Sequence, residues 1–103
     1  MQTYHISEEF GTSPSDGAVA YAFRVANIDP CLSLCESIEF DFTGVRIANS
    51  SFMNALISGL FEQHGSSLLS NLSFRGCLPT IQVLIQAAVD LGMVKHEERF
   101  AAK

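Results

Sequence analysis

The sequence predicts a small α/β domain with a mainly parallel sheet and three strand–helix units in 103 residues. Three observations lead there. "SIEFDFTG" sets Ile38, Phe40 and Phe42 against Glu39 and Asp41, the two-residue period of a strand. Immediately after it, Phe52, Met53, Leu56, Ile57, Leu60 and Phe61 share one helical face, with Asn54, Ser58 and Glu62 opposite. The same change from strand to helix period recurs on either side of this pair. Such alternation calls for right-handed crossovers and adjacent parallel strands. A chain of this length builds one core, so residues 1–103 read as a single domain.

The first strand is expected in "TYHISEEF", where Tyr4 and Ile6 alternate with polar residues. "GTSPSDG" is a turn, with Ser15 or Asp16 the N-cap of a helix near residues 16–28. Ala18, Val19, Ala22, Phe23 and Ala26 lie on one face of it and Pro30 marks its end, while "CLSLCES" follows no period. A strand buried on both faces reads as a continuous apolar run. Glu39 and Asp41 therefore imply that one face of the second strand is less covered, or that its acids have a local task.

The second helix is expected over residues 51–64 with Gly65 as its stop. Gly59 in its middle costs ~1 kcal/mol against alanine, which points to close packing there. Leu72 and Phe74 mark the third strand. The third helix is expected over residues 79–91, with Pro79 in its first turn, Ile81, Leu84, Ile85 and Ala88 inside, and Gly92 ending it. "MVKHEERFAAK" is a charged tail without an assigned structure. The expected core is Ile38, Phe40, Phe42, Phe52, Leu56, Leu60, Ile81, Leu84 and Ile85.

Composition narrows function. Hydrophobic residues make up 48% of the chain and charged ones 17%, which suits a folded domain. Six basic residues against eleven acidic ones give a net charge of −5, with no Lys/Arg cluster. Neither nucleic acid nor an anionic membrane is an expected partner. "MQTYHISEEF" lacks the basic and apolar regions of a signal peptide, and no apolar run approaches the ~20 residues of a membrane span. Three cysteines, an odd number, then read as reduced thiols, and the expected location is the cytoplasm.

Metal and catalytic motifs are thin. Cys31 and Cys35 have a zinc-like spacing, but only Cys77 and the scattered His5, His64 and His96 could complete four ligands. The cysteines read as small buried hydrophobes, and no metal or cofactor is expected. Ser50 or Ser51 as a nucleophile would need a base and an oxyanion hole. "NSSF" is not the G-x-S-x-G elbow, and His64 lies roughly 20 Å along the same helix at 1.5 Å per residue. No enzymatic activity is expected. Asn49, Ser50 and Ser51 thus have two readings: helix cap, or hydroxyls presented at a strand's carboxyl end, where α/β sheets meet ligands and partners.

"IEFDFTGVRIANSSFMNALISGLF" resembles the core motif of STAS domains of the anti-sigma-factor-antagonist type: an apolar-Asp-apolar strand, a loop, Asp-Ser-Ser-Gly and an amphipathic helix. "LSFRGCLPTIQVLIQAAVDLG" is similar to the family's next strand, Gly-x-x-Pro turn and last helix. The "FDFTGV…NSSFMNAL" form more closely resembles the STAS-like branch of unknown function, whose members often occur beside or fused to histidine-kinase-like ATPase modules. The resemblance covers residues 37–92, and the first 36 only in outline. It aligns Asp41 with the strand aspartate, Asn49 with the motif aspartate, and Ser50 with the serine that a partner kinase phosphorylates in antagonists. Ser51 follows it. Asn49 carries no carboxylate, and Phe52 stands where antagonists have glycine.

The resemblance implies a STAS-like fold and a non-catalytic regulatory module docking on a histidine-kinase-like ATPase or serine kinase. Ser50 and Ser51 are the candidate phospho-acceptors. Asp41, Asn49, Ser50, Ser51 and Asn54 are the candidate partner-binding residues. The alternative is an unmodified structural module, self-associating through a sheet face or edge as a homodimer.

Overall fold

The computed structural model describes residues 2–34 and 36–101. Three four-residue strands, β1 (Gln2–His5), β2 (Ile38–Asp41) and β3 (Leu72–Arg75), form one sheet in the order β1-β2-β3. Both pairings are parallel. With right-handed crossovers, a sheet whose strands follow in chain order carries both connections on the same face. One face is therefore covered by helices, and the other is left to its own side chains.

Register decides which residues lie on which face. Tyr4, Phe40 and Phe74 are side by side across the three strands, as are Ile38 and Leu72 beside Gln2. Tyr4, Phe40 and Phe74 stack along the inner face, with ring centroids 6.4 Å and 6.0 Å apart. The alternate rows, Thr3–Glu39–Ser73 and His5–Asp41–Arg75, belong to the outer face. The core sits between the inner face and the helices, with Ile38, Phe40, Phe42, Phe52, Leu56, Leu60, Ile81 and Ile85 buried. Leu84 packs against it while remaining partly exposed.

The crossover from β1 begins with a short helix, Ile6–Phe10. Ile6 therefore opens a helix instead of continuing the strand, and is buried in the core. The next helix starts at Gly17, and Asp16 is its cap: Oδ1 accepts N–H groups of Ala18 and Val19 at 2.9 Å and 3.3 Å. It runs as Gly17–Phe23, widens into a π turn at Arg24–Ile28 and resumes at Asp29–Ser33. Pro30 thus does not end the helix. It lies in the first turn of the segment after the π turn, where a missing N–H is tolerated.

The central helix, which follows β2, has the same construction: Ser50–Met53, a π turn at Asn54–Ser58, then Gly59–His64. A 3₁₀ segment, Gly65–Ser70, leads into β3.

The last helix departs most from expectation. It spans Pro79–Ala101 and passes straight through Gly92 into the charged segment. Gly92 is there for contact. A Cβ at this position would lie 2.5 Å from the Ser58 carbonyl oxygen and 2.7 Å from Phe61 Cβ, so the hydrogen lets two helices touch backbone to backbone. Beyond it, His96 Nδ1 lies 2.8 Å from the Glu62 carbonyl oxygen, and Arg99 pairs with the Glu62 carboxylate at 3.4 Å. Those tertiary contacts offset the glycine's intrinsic helix cost.

Candidate functional site

In-register parallel strands put their last residues next to one another, so His5, Asp41 and Arg75 form a row at the carboxyl edge. Asp41, in the middle, is buried although it lies on the outer face. Its Oδ2 is 2.8 Å from Arg75 Nη2 and 3.2 Å from His5 Nδ1, and its Oδ1 accepts the Thr43 N–H at 2.9 Å. Hydrogen bonds from Thr43, then the bond from Arg75, hold its carboxyl well below the usual carboxylate range. In turn, the bond to Asp41 raises the Arg75 guanidinium further.

One row away, Thr3 Oγ1 donates to Glu39 Oε1 at 3.3 Å, and Arg75 Nη1 lies 4.0 Å from the same oxygen. Both sequence alternatives thus hold. The outer face is thinly covered, with Thr3, His5, Ser73 and Arg75 exposed, and its acids tie the strands together. The Asp41–His5 contact can orient an imidazole, but among the described residues no Ser, Thr or Cys side chain is hydrogen-bonded to His5. A nucleophile–base–acid relay is not assembled there.

The loop from β2 to the central helix is held from outside. Arg46 N–H donates to the Thr12 carbonyl at 2.9 Å, and Asn49 Nδ2 donates to the Ser15 carbonyl at 3.0 Å. Asn49 is extended, at φ −98° and ψ 167°, and its Oδ1 accepts the Phe52 N–H at 2.9 Å. Asn49 is therefore the N-cap, and neither serine is. Both serines remain exposed in the first helical turn. They differ in surroundings: a Cβ on Gly17 would lie 2.8 Å from Ser51 Oγ, so Ser51 is packed against the start of the neighbouring helix.

Asn54, four residues after Ser50, is exposed on the same side of the helix. Its Oδ1 lies 3.2 Å from Ser58 Oγ. Ile47, also exposed, precedes the cap by two residues. Asn49, Ser50, Ser51 and Asn54 are thus gathered at one helix end. Asp41 is engaged separately with Thr43, Arg75 and His5 on the same sheet edge. Phe52 is fully buried in the core.

The cysteine expectation needs correction. Cys31 and Cys77 are only half-buried, and Cys35 lies outside the described residues. Cys31 Sγ is 3.6 Å from the Tyr4 hydroxyl, a polar contact that brings it to the sheet's rim. Burial, then the charge of Asp41, pushes the Cys77 thiol up, away from thiolate chemistry. Among the described residues, no three His, Cys, Asp or Glu side chains group to hold a metal, and no helix is long and apolar enough to cross a membrane.

Sequence reasoning missed His5 and Arg75. Strand parity would have found both, since each ends its strand on the same parity as the outer-face acids. It also missed Arg24, whose signal was a lone cation inside the apolar run "AVAYAFRVANI".

A family model described as the STAS-like domain of unknown function (DUF4325) matches residues 25–82, more than half of the chain. The chain belongs to this STAS-like family. The matched span holds Asp41, Asn49, Ser50, Ser51, Asn54 and Arg75, and begins one residue after Arg24. β1 with His5 and most of the last helix lie outside it. No curated protein and no solved structure matches the chain.

Proposed function

We propose that this STAS-like domain is a non-catalytic, cytoplasmic regulatory module that docks on a protein partner, a histidine-kinase-like ATPase or serine kinase, with Ser50 as its phospho-acceptor. The observation that carries this reading is that Asn49 caps the central helix, which leaves the exposed Ser50 hydroxyl free of that task. A phosphate on Ser50 would meet the N–H groups and positive dipole end of the helix, so the fold would tolerate it. It would add about 1.5–2 negative charges beside the exposed Ile47 and Asn54, altering docking by repulsion and desolvation. Ser51, pressed against Gly17, is the less accessible of the two hydroxyls.

The test is incubation of the domain with a purified histidine-kinase-like ATPase or serine kinase of the same organism and ATP, followed by mapping of the modified residue and titration of wild type, Ser50→Ala and Ser50→Asp against that protein. Phosphate on Ser50, with docking kept by Ser50→Ala and weakened by Ser50→Asp, supports the reading. Equal affinity for all three sinks it.

The bare outer face of the sheet favours a second reading, an unmodified module that pairs with its own copy. Parallel sheets are ordinarily covered on both faces, and β1 and β3 are both edges here. A concentration-dependent dimer whose formation is lost in Arg75→Glu would favour it.

A further inference from the structure

One buried cation joins the two π turns. Arg24, the first residue of the first π turn, is only 4% exposed and donates from Nη1 to the Ala55 carbonyl in the second, at 3.4 Å. Its path is opened by Gly59, because a Cβ there would collide with Arg24 Nη1. Arg24 Nε has no hydrogen-bond partner among the described residues, although it forms a long ion pair with Asp29 Oδ2 at 3.9 Å. A buried guanidinium with a long Nη1 bond and an unbonded Nε is under-satisfied, an arrangement that costs stability and so wants a reason.

The guanidinium lines a groove of about 300 Å³, at the small end of ligand-binding clefts. Tyr21, whose ring lies 5.1 Å beneath it, forms one wall. Lys95 and Arg99, from the unexpected extension of the last helix, form another. Three of the chain's six basic residues therefore converge on one groove in a protein of net charge −5. Among the described residues Glu62 is the one carboxylate on the lining, and it is already paired with Arg99 at 3.4 Å. Lys95 has no carboxylate within 4.0 Å among the described residues. π turns are disproportionately found at functional sites, and both of these border the groove.

We infer that the groove between the two π turns binds the phosphate group of a small phosphorylated ligand, with Arg24 as the buried anchor and Lys95 and Arg99 closing over it. Guanidinium and ammonium groups on one concave surface match a tetrahedral oxyanion by charge-assisted hydrogen bonds. The inference stands on residues separate from Ser50 and survives the loss of the docking reading.

Calorimetric titration of the full chain with inorganic phosphate, at constant ionic strength and with chloride as the control anion, tests it. Lys95→Ala and Arg99→Ala remove exposed side chains and should leave the fold intact. Each should weaken phosphate binding about tenfold, the worth of one lost charge-assisted bond. Arg46→Ala, on an exposed loop away from the groove, should not change it. No measurable phosphate binding, equal binding by chloride, or binding unchanged in Lys95→Ala and Arg99→Ala would overturn the assignment.

Discussion

Asp41 and Arg75, the last residues of neighbouring parallel strands, meet at 2.8 Å on the thinly covered outer face of the sheet. The contact ties β2 to β3 through side chains where the ladder ends, and His5 extends it to β1 at 3.2 Å. Asp41 is therefore the residue through which the carboxyl edge of all three strands is organised.

That arrangement has an acid dependence. Thr43 and Arg75 hold the Asp41 carboxyl below its ordinary value, so its stabilising effect is complete above the unfolded carboxylate range of about pH 4. The effect is lost as pH falls through the lowered folded value. Asp41→Asn should be less stable than wild type near neutrality, with the difference constant down to about pH 4 and shrinking below it. Urea denaturation at a series of pH values measures this, and a difference independent of pH through the acid range would contradict the assignment.

The cap prediction separates neighbouring residues. Asn49→Ala removes the acceptor of the Phe52 N–H and should cost about 1 kcal/mol. Ser50→Ala removes an exposed hydroxyl that caps nothing and should stay within about 0.5 kcal/mol of wild type. Paired denaturation curves decide it, since the reverse order would return the cap to the serine.

Gly92 should resist even alanine. Its added methyl would press on the Ser58 carbonyl and Phe61 Cβ, forcing the last helix off the central one at a cost of about 1–3 kcal/mol. An uncrowded glycine inside the helix would give the opposite sign, because alanine favours helix over glycine by about 1 kcal/mol. The sign of the change in melting temperature distinguishes the two.

Tyr4 supplies an alkaline marker. Burial, then its bond with Cys31, pushes the phenol up to about 12. Because the folded value is raised, the contribution to stability is complete below the unfolded range near pH 10 and is lost as pH rises through about 12. Tyrosinate absorbance of the folded protein should show a step near pH 12 that is missing in Tyr4→Phe. A Tyr4→Phe titration identical to wild type above pH 10 would contradict a raised Tyr4 phenol.

What the sequence determined by itself was local and periodic. The alternation in "SIEFDFTG", the apolar stripe from Phe52 to Phe61 and the turn residues around Asp16 are consequences of neighbours along the chain, and they sufficed for the α/β order and nearly all of the core. The motif around Asn49 and Ser50 was legible for the same reason. Tertiary structure decided what depends on residues far apart in sequence. Gly92 reads as a helix stop until the central helix packs against it, and the charged tail reads as unassigned until Glu62 receives His96 and Arg99. Asp41 gains its partners only when β1 and β3 align with β2. The buried Arg24 is possible only because Gly59, thirty-five residues on, leaves space for a guanidinium between two helices. Periodicity reports which face of an element is apolar, whereas register and helix contact decide which polar side chains meet.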